Sequence, residues 1–152
     1  MANFGLFSAT ICLEMPTFTA FRVHGMAAAK TNTTMKVLIA DDTDSVRYAL
    51  RLVLEHLGHE VIGYATNGQD AIDKCASMHP ELIVMDVRMP LIDGLTCTTM
   101  LSKSNPSSRV VIVTGSRTTE AEAREAGARG FVEKPFDVCE LDRAINSALV
   151  AA

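Results

Sequence analysis

From Lys36 onward the chain alternates short apolar runs with stretches whose apolar residues recur at helical spacing. Val37-Leu38-Ile39-Ala40 has no polar break, as a strand buried on both faces requires. Asp44 is placed to cap a helix in which Val46, Leu50, Val53, Leu54 and Leu57 share one stripe, and Gly58 closes it. Glu60–Ala65 reads as a second strand and Gly68–Met78 as a second helix, halted by His79-Pro80. Leu82–Met85 predicts a third strand that ends on Asp86, and after Met89-Pro90 and the Asp93-Gly94 turn a helix is expected near Leu95–Ser102. Arg109–Val113 is the fourth strand and ends on Thr114. Thr119 and Glu122 have the spacing of a capping box for a short fourth helix, stopped at Gly127. Gly130–Glu133 supplies the fifth strand, and Asp137 with Glu140 caps a last helix that buries Leu141, Ile145 and Leu149. Five strand–helix units predict an α/β domain: one five-stranded parallel sheet, doubly wound, with helices on both faces.

Residues 1–35 break this pattern. Phe4, Phe7, Phe18 and Phe21 fall there, with Glu14 as the one acid and Arg22 and Lys30 as the bases, and no period of 2 or 3.6 holds. Glu14 and Pro16 interrupt the apolar stretch and the first 21 residues carry no base, which argues against a secretory signal. The segment is expected to be a poorly ordered extension, with Met26 or Met35 as candidate starts, or else a partner-binding or targeting arm. The domain is then 36–152, and no second domain is expected, because the chain stops with the fifth helix.

Composition narrows the function classes. A chain of 152 residues that is 48% hydrophobic and 21% charged has enough apolar material for one buried core. Its net charge of -4 argues against direct binding to nucleic acid backbones, and no apolar run is long enough for a membrane span. Cys12, Cys75, Cys97 and Cys139 are far apart with no CxxC pair, which suits a reducing cytoplasm better than a disulfide framework or a zinc site. Cys75 and His79 are four apart, but no third ligand is near and Pro80 ends the helix, so metal is not expected there. His56 and His59, flanking Gly58, read as solvated; Arg117, Arg124 and Arg129, alternating with Glu120, Glu122 and Glu125, read as a mixed solvated face.

In an open α/β sheet, ligands bind beyond the carboxyl ends of the strands. Here those ends carry Asp41 and Asp42, then Asp86, then Thr114, then Lys134-Pro135. Three carboxylates converging without a cation would repel one another and resist ionisation. The set therefore asks for a hard divalent cation such as Mg²⁺, with Thr114 supplying a hydroxyl and Lys134 a mobile positive charge. Carboxylate, cation, lysine and hydroxyl together describe phosphoryl transfer to an aspartate, with Asp86 attacking in line. A flavin binder of the flavodoxin kind is disfavoured, because the loop after strand one opens with two acids. An aspartate-nucleophile phosphatase of the haloacid dehalogenase kind wants a second Asp two residues after the nucleophile, where this chain has Arg88.

Asp41-Asp42, Asp86 with Met89-Pro90 and Asp93-Gly94, Thr114-Gly115, and Lys134-Pro135-Phe136 resemble the receiver domain of two-component response regulators, over about Met35 to Val150. The resemblance implies a flavodoxin-like (βα)5, three-layer α/β/α fold and a phosphoryl group received on Asp86 from a histidine kinase or histidine phosphotransfer protein. It implies Mg²⁺ held by Asp41, Asp42, Asp86 and the backbone carbonyl of Arg88, with the phosphoryl oxygens bound by Thr114, Gly115 and Lys134. It further implies a switch through Thr114 and Phe131 and a cis peptide bond at Pro135. Two departures stand out: the stretch from Thr114 to Lys134 is short, so the fourth helix is expected to be short or shifted, and Phe131 lacks the hydroxyl of the commoner Tyr. The expectation is a single-domain cytoplasmic regulator, a monomer or weak homodimer, that acts on an effector protein and is no enzyme beyond assisting its own phosphorylation and dephosphorylation. A phosphorelay intermediate is the alternative within signalling, and a slow aspartyl-phosphate phosphatase the alternative outside it.

Overall fold

The buried apolar runs become parallel strands because each must hide both faces at once, and only a sheet covered by helices on either side does so. The structure, a computed structural model, describes residues 33–150. Residues 1–32 of the expected extension, with Cys12, Met26 and the four phenylalanines, lie outside the described residues. The elements run β1 (Lys36–Ala40), α1 (Asp44–His56), β2 (Glu60–Ala65), α2 (Gly68–Met78), β3 (Leu82–Met85), α3 (Gly94–Ser104), β4 (Arg109–Thr114), α4 (Glu120–Glu125), β5 (Gly130–Glu133) and α5 (Val138–Val150). All pairings are parallel and the order is β2-β1-β3-β4-β5, the flavodoxin-like arrangement. The order reverses between β1 and β3, so their carboxyl ends flank the crevice where such sheets bind ligands.

Alternate strand residues feed opposite layers. Val37, Ile39, Val84 and Val111 pack with Leu54 of α1 and Leu141 and Ile145 of α5. Leu38, Ile83, Met85 and Ile112 pack with Cys75 of α2 and with Cys97 and Leu101 of α3. Met35 is buried in the first layer, and its carbonyl accepts the Glu60 N–H at 2.9 Å. No helix among the described residues is long and apolar enough to cross a membrane.

Three local expectations need correction. The cap of α1 is Thr43, not Asp44; Asp44 is the first helical residue and its carboxylate is held by Arg47. The third helix starts at Gly94 and runs to Ser104, because the Asp93 carboxylate accepts the Leu95 and Thr96 N–H groups and so begins the helix at once. His59 is not solvated but buried. Gly58 takes φ +90, its N–H bonds Glu55 O, and the His59 N–H reaches back to Leu54 O at 2.9 Å. This is a Schellman ending, and its second residue past the cap turns back onto the helix instead of out to water. The fourth helix is short, as expected, with six residues opened by the Thr119–Glu122 capping box.

Burial makes the His59 imidazole harder to protonate than in the unfolded chain, with buried Asp142 nearby partly opposing that. Asp142 itself is pushed up by burial, with His59 and Asn146 pulling the other way. A histidine with a lowered pKa favours folding above its unfolded value of 6.5 and loses that contribution as pH falls below it. His59→Gln should therefore flatten the acid side of a plot of unfolding midpoint against pH below about 6.5; an unchanged slope contradicts the assignment.

Gly94 shows why the turn after β3 needs glycine. A Cβ there would stand 2.0 Å from the Asp86 carbonyl oxygen, which is backbone and cannot step aside. Gly94→Ala is expected to cost about 3 kcal/mol in urea unfolding. A loss under about 0.5 kcal/mol would show that the loop relaxes freely.

Candidate functional site

Backbone ladders carry the chemistry into place. The Asp41 N–H bonds Ala65 O at 3.1 Å, the Asp86 N–H bonds Ala40 O at 2.8 Å, and the Lys134 N–H bonds Thr114 O at 2.8 Å. Each of these residues thus extends the strand pairing by one step past the end of its strand. Their side chains inherit the rigidity of the sheet. The loop after Asp86 is tied back by Gly94 N–H to Val87 O at 2.8 Å, and the Lys134-Pro135 bond is cis.

One carboxylate oxygen from each of Asp41, Asp42 and Asp86 lies within 4.8 Å of the others. Asp41 is 1% exposed and Asp86 is largely buried, whereas Asp42 opens to solvent. The Lys134 ammonium reaches between the two buried acids, 2.9 Å from Asp41 Oδ2 and 3.5 Å from Asp86 Oδ1. Asp41 Oδ1 also accepts the Thr43 N–H at 2.9 Å, and the Arg47 guanidinium holds the Asp41 backbone carbonyl at 2.6 Å. Burial pushes the Asp86 carboxyl above the usual carboxylate range; Lys134 draws it down and Asp41 pushes it further up. A cavity of about 310 Å³ opens over the group, lined by Asp42, Thr43, Asp86, Arg88, Gly115 and Lys134.

The donor set fits a hard divalent cation. Its ligand atoms are all carboxylate oxygens gathered within 4.8 Å of one another, the hard-oxygen chemistry that Mg²⁺ takes. Lys134 already occupies the electrostatic role of a cation between two of them. Asp41, Asp42 and Asp86 are the residues able to hold such an ion.

Other expected residues sit differently. Thr114 is fully buried, and its hydroxyl is engaged with Ser116 at 2.9 Å. Phe131, opposite Ile112 on β5, is partly buried against the layer of α2, α3 and α4. It also lines a second cavity of about 580 Å³ between α4, β5 and α5, together with Arg124, Glu140 and Arg143. Arg124 is paired with Glu120 at 2.7 Å on an exposed surface. His79 is an exposed cap in the left-handed region with φ 50, whereas Cys75 is buried and burial pushes its thiol up to about 12.

Ser116 and Thr118 were not legible as site residues. Their spacing from Thr114 is ordinary for a Ser/Thr-rich loop, and only the fold shows that the three hydroxyls touch.

The raised Asp86 carboxyl means that its ionised form costs stability at neutral pH. Its contribution favours the fold at low pH and is lost as pH rises through the folded value. Asp86→Asn is therefore expected to raise the unfolding midpoint by a few degrees at pH 7 without divalent cations. A lower midpoint for the variant would mean that the Lys134 pairing outweighs burial.

The response regulator receiver domain family matches residues 37–146. The chemotaxis protein CheY of Thermotoga maritima is 33% identical over 113 residues, 73% of this chain and 94% of that protein. A protein-glutamate methylesterase/protein-glutamine glutaminase of Pseudoalteromonas translucida is 38% identical over 107 residues; this is 68% of this chain but 27% of that protein. The CheX–CheY–BeF3–Mg²⁺ complex from Borrelia burgdorferi shares the fold at a TM-score of 0.72, with 24% identity over 76% of this chain and 90% of that one. The matched span takes in every strand end that gathers around the acidic crevice, and the chain belongs to the response regulator receiver domain family.

Proposed function

We propose that this receiver domain takes a phosphoryl group onto Asp86 from a phosphohistidine of a histidine kinase or histidine phosphotransfer protein, and works as a signalling switch. The observation that carries this reading is the Lys134 ammonium held between Asp41 and Asp86 at the crevice of the sheet. An Asp86 oxygen attacks phosphorus as the N–P bond of the donor breaks, and the electron pair leaves with the imidazole, which takes up a proton. Lys134 exchanges Asp41 for a phosphoryl oxygen, and Thr114 and Gly115 contribute a hydroxyl and a backbone N–H. Asp41, Asp42, Asp86 and the Arg88 carbonyl are the proposed Mg²⁺ ligands. When bound, the ion offsets charge on the phosphoryl oxygens. The same groups assist the later loss of the phosphoryl group to water.

The output is proposed to be a shift of the α4–β5–α5 surface, with Thr114 drawn toward the phosphoryl group and Phe131 turning inward. An effector protein then reads that surface by association. Residues 36–152 are proposed to act as a single-domain regulator, which the 94% coverage of the Thermotoga maritima protein supports, and as a monomer or weak homodimer. Cysteines far apart with no CxxC pair accord with a cytoplasmic setting, and the net charge of -4 with a role that does not touch nucleic acid directly.

Acetyl phosphate with Mg²⁺ should add one phosphoryl mass to the wild type and none to Asp86→Asn; equal labelling of the two would sink the assignment. Stoichiometric, self-limited labelling supports a receiver, whereas steady turnover of a generic phosphoester supports a phosphatase. Asp41→Ala with Asp42→Ala should weaken Mg²⁺ binding by at least about 100-fold in a titration, since two adjacent charges are lost. Unchanged affinity contradicts the proposed ligand set.

A further inference from the structure

We propose that Ser116 is a positioning residue for the Thr114 hydroxyl, and that the hydroxyl chain Thr114–Ser116–Thr118 carries the state of Asp86 to the start of α4 by reversing the sense of its hydrogen bonds. This rests on the reading of Asp86 as the phosphoacceptor.

The geometry is a short relay. Thr114 Oγ1 accepts the Ser116 N–H at 3.1 Å and lies 2.9 Å from Ser116 Oγ, which lies 2.8 Å from Thr118 Oγ1. Each hydroxyl has one proton and two acceptor lone pairs. Three hydroxyls in a row therefore satisfy two internal bonds and leave one proton over, at one end or the other. In one sense Thr114 donates to Ser116, Ser116 donates to Thr118, and the spare proton belongs to Thr118. In the other, Thr118 donates to Ser116 and Ser116 to Thr114. Both Thr114 lone pairs are then filled, by the Ser116 N–H and O–H, and its own proton is free.

A phosphoryl group on Asp86 presents acceptor oxygens next to the end of β4. Once Thr114 donates to it, Thr114 has no proton for Ser116. Only the second sense keeps both bonds of the chain. The change moves no proton between atoms; three O–H bonds rotate together, and each polarises the next. Its far end is Thr118, the residue before Thr119, which opens α4 through the capping box with Glu122. A helix of six residues has little stability of its own, so a change at its first turn is enough to shift it. The relay gives this chain a polar route from β4 to α4, where Phe131 offers only bulk.

The full chain is compared as wild type, Ser116→Ala, Ser116→Thr and Thr118→Val. Acetyl phosphate labelling is followed by mass, and amide hydrogen exchange is measured with and without beryllofluoride and Mg²⁺. In the wild type, exchange at 118–126 should change on adding beryllofluoride. Thr118→Val should label Asp86 at the wild-type rate yet lose that change. Ser116→Ala should lose the change and label about fivefold more slowly at saturating donor, with the half-saturating concentration unchanged, as expected for one lost hydrogen bond. Ser116→Thr should restore both. An unaltered response at 118–126 in both Ser116→Ala and Thr118→Val, or no response there in the wild type, overturns the relay while leaving an Asp86 adduct intact. Absence of any Asp86 adduct in the wild type removes the phosphoacceptor reading and the relay with it.

Discussion

A positive charge has to stand among Asp41, Asp42 and Asp86, and Lys134 brings it from the far edge of the sheet. Like charges at this spacing cannot all ionise in a largely buried crevice without one. The contact joins residues 93 positions apart in the chain, from the first loop to the last. It closes only if β1, β3, β4 and β5 lie side by side in the observed register. The sheet order and the electrostatics of the crevice are therefore a single constraint.

That constraint explains where the molecule is stiff and where it is not. The acids and Lys134 hang from backbone hydrogen bonds that prolong the strand ladders, and Gly94 lets the loop after β3 pass against the Asp86 carbonyl. Around β4 and β5 the structure is looser. The fourth helix has six residues, a cavity of about 580 Å³ separates it from α5, and Thr114 leans on loop hydroxyls rather than on the acids. A charge site held by the sheet next to a lightly packed helix is what the proposed change of surface needs, because local packing energy to be overcome there is small.

The opposite layer carries a second buried polar pair, His59 with Asp142, between the start of β2 and α5. Burial acts on the two in opposite senses, and each weakens the effect on the other. His59 precedes the amino end of β2, whereas the acidic crevice lies at the carboxyl ends of the strands, so the pair bears on how the fold responds to pH rather than on the crevice chemistry.

Much of this was legible in the order of residues. Unbroken apolar runs such as Val37–Ala40 and Leu82–Met85 announce strands buried on both faces, and Gly58, Pro80 and Gly127 mark where helices stop, because these signals are local. The acids and Lys134 were legible as a set because each directly follows a strand, and in a parallel sheet all strand ends point the same way. The fold alone decided what depends on contacts between distant or differently turned segments. His59 turns inward because the Schellman ending at Gly58 reverses the chain, Asp44 yields the cap to Thr43, and the Thr114 hydroxyl meets Ser116, and Ser116 meets Thr118, only once the loop after β4 has folded back. Charge and periodicity are written residue by residue, whereas the direction in which a side chain leaves a turn is set by the backbone that tertiary packing selects.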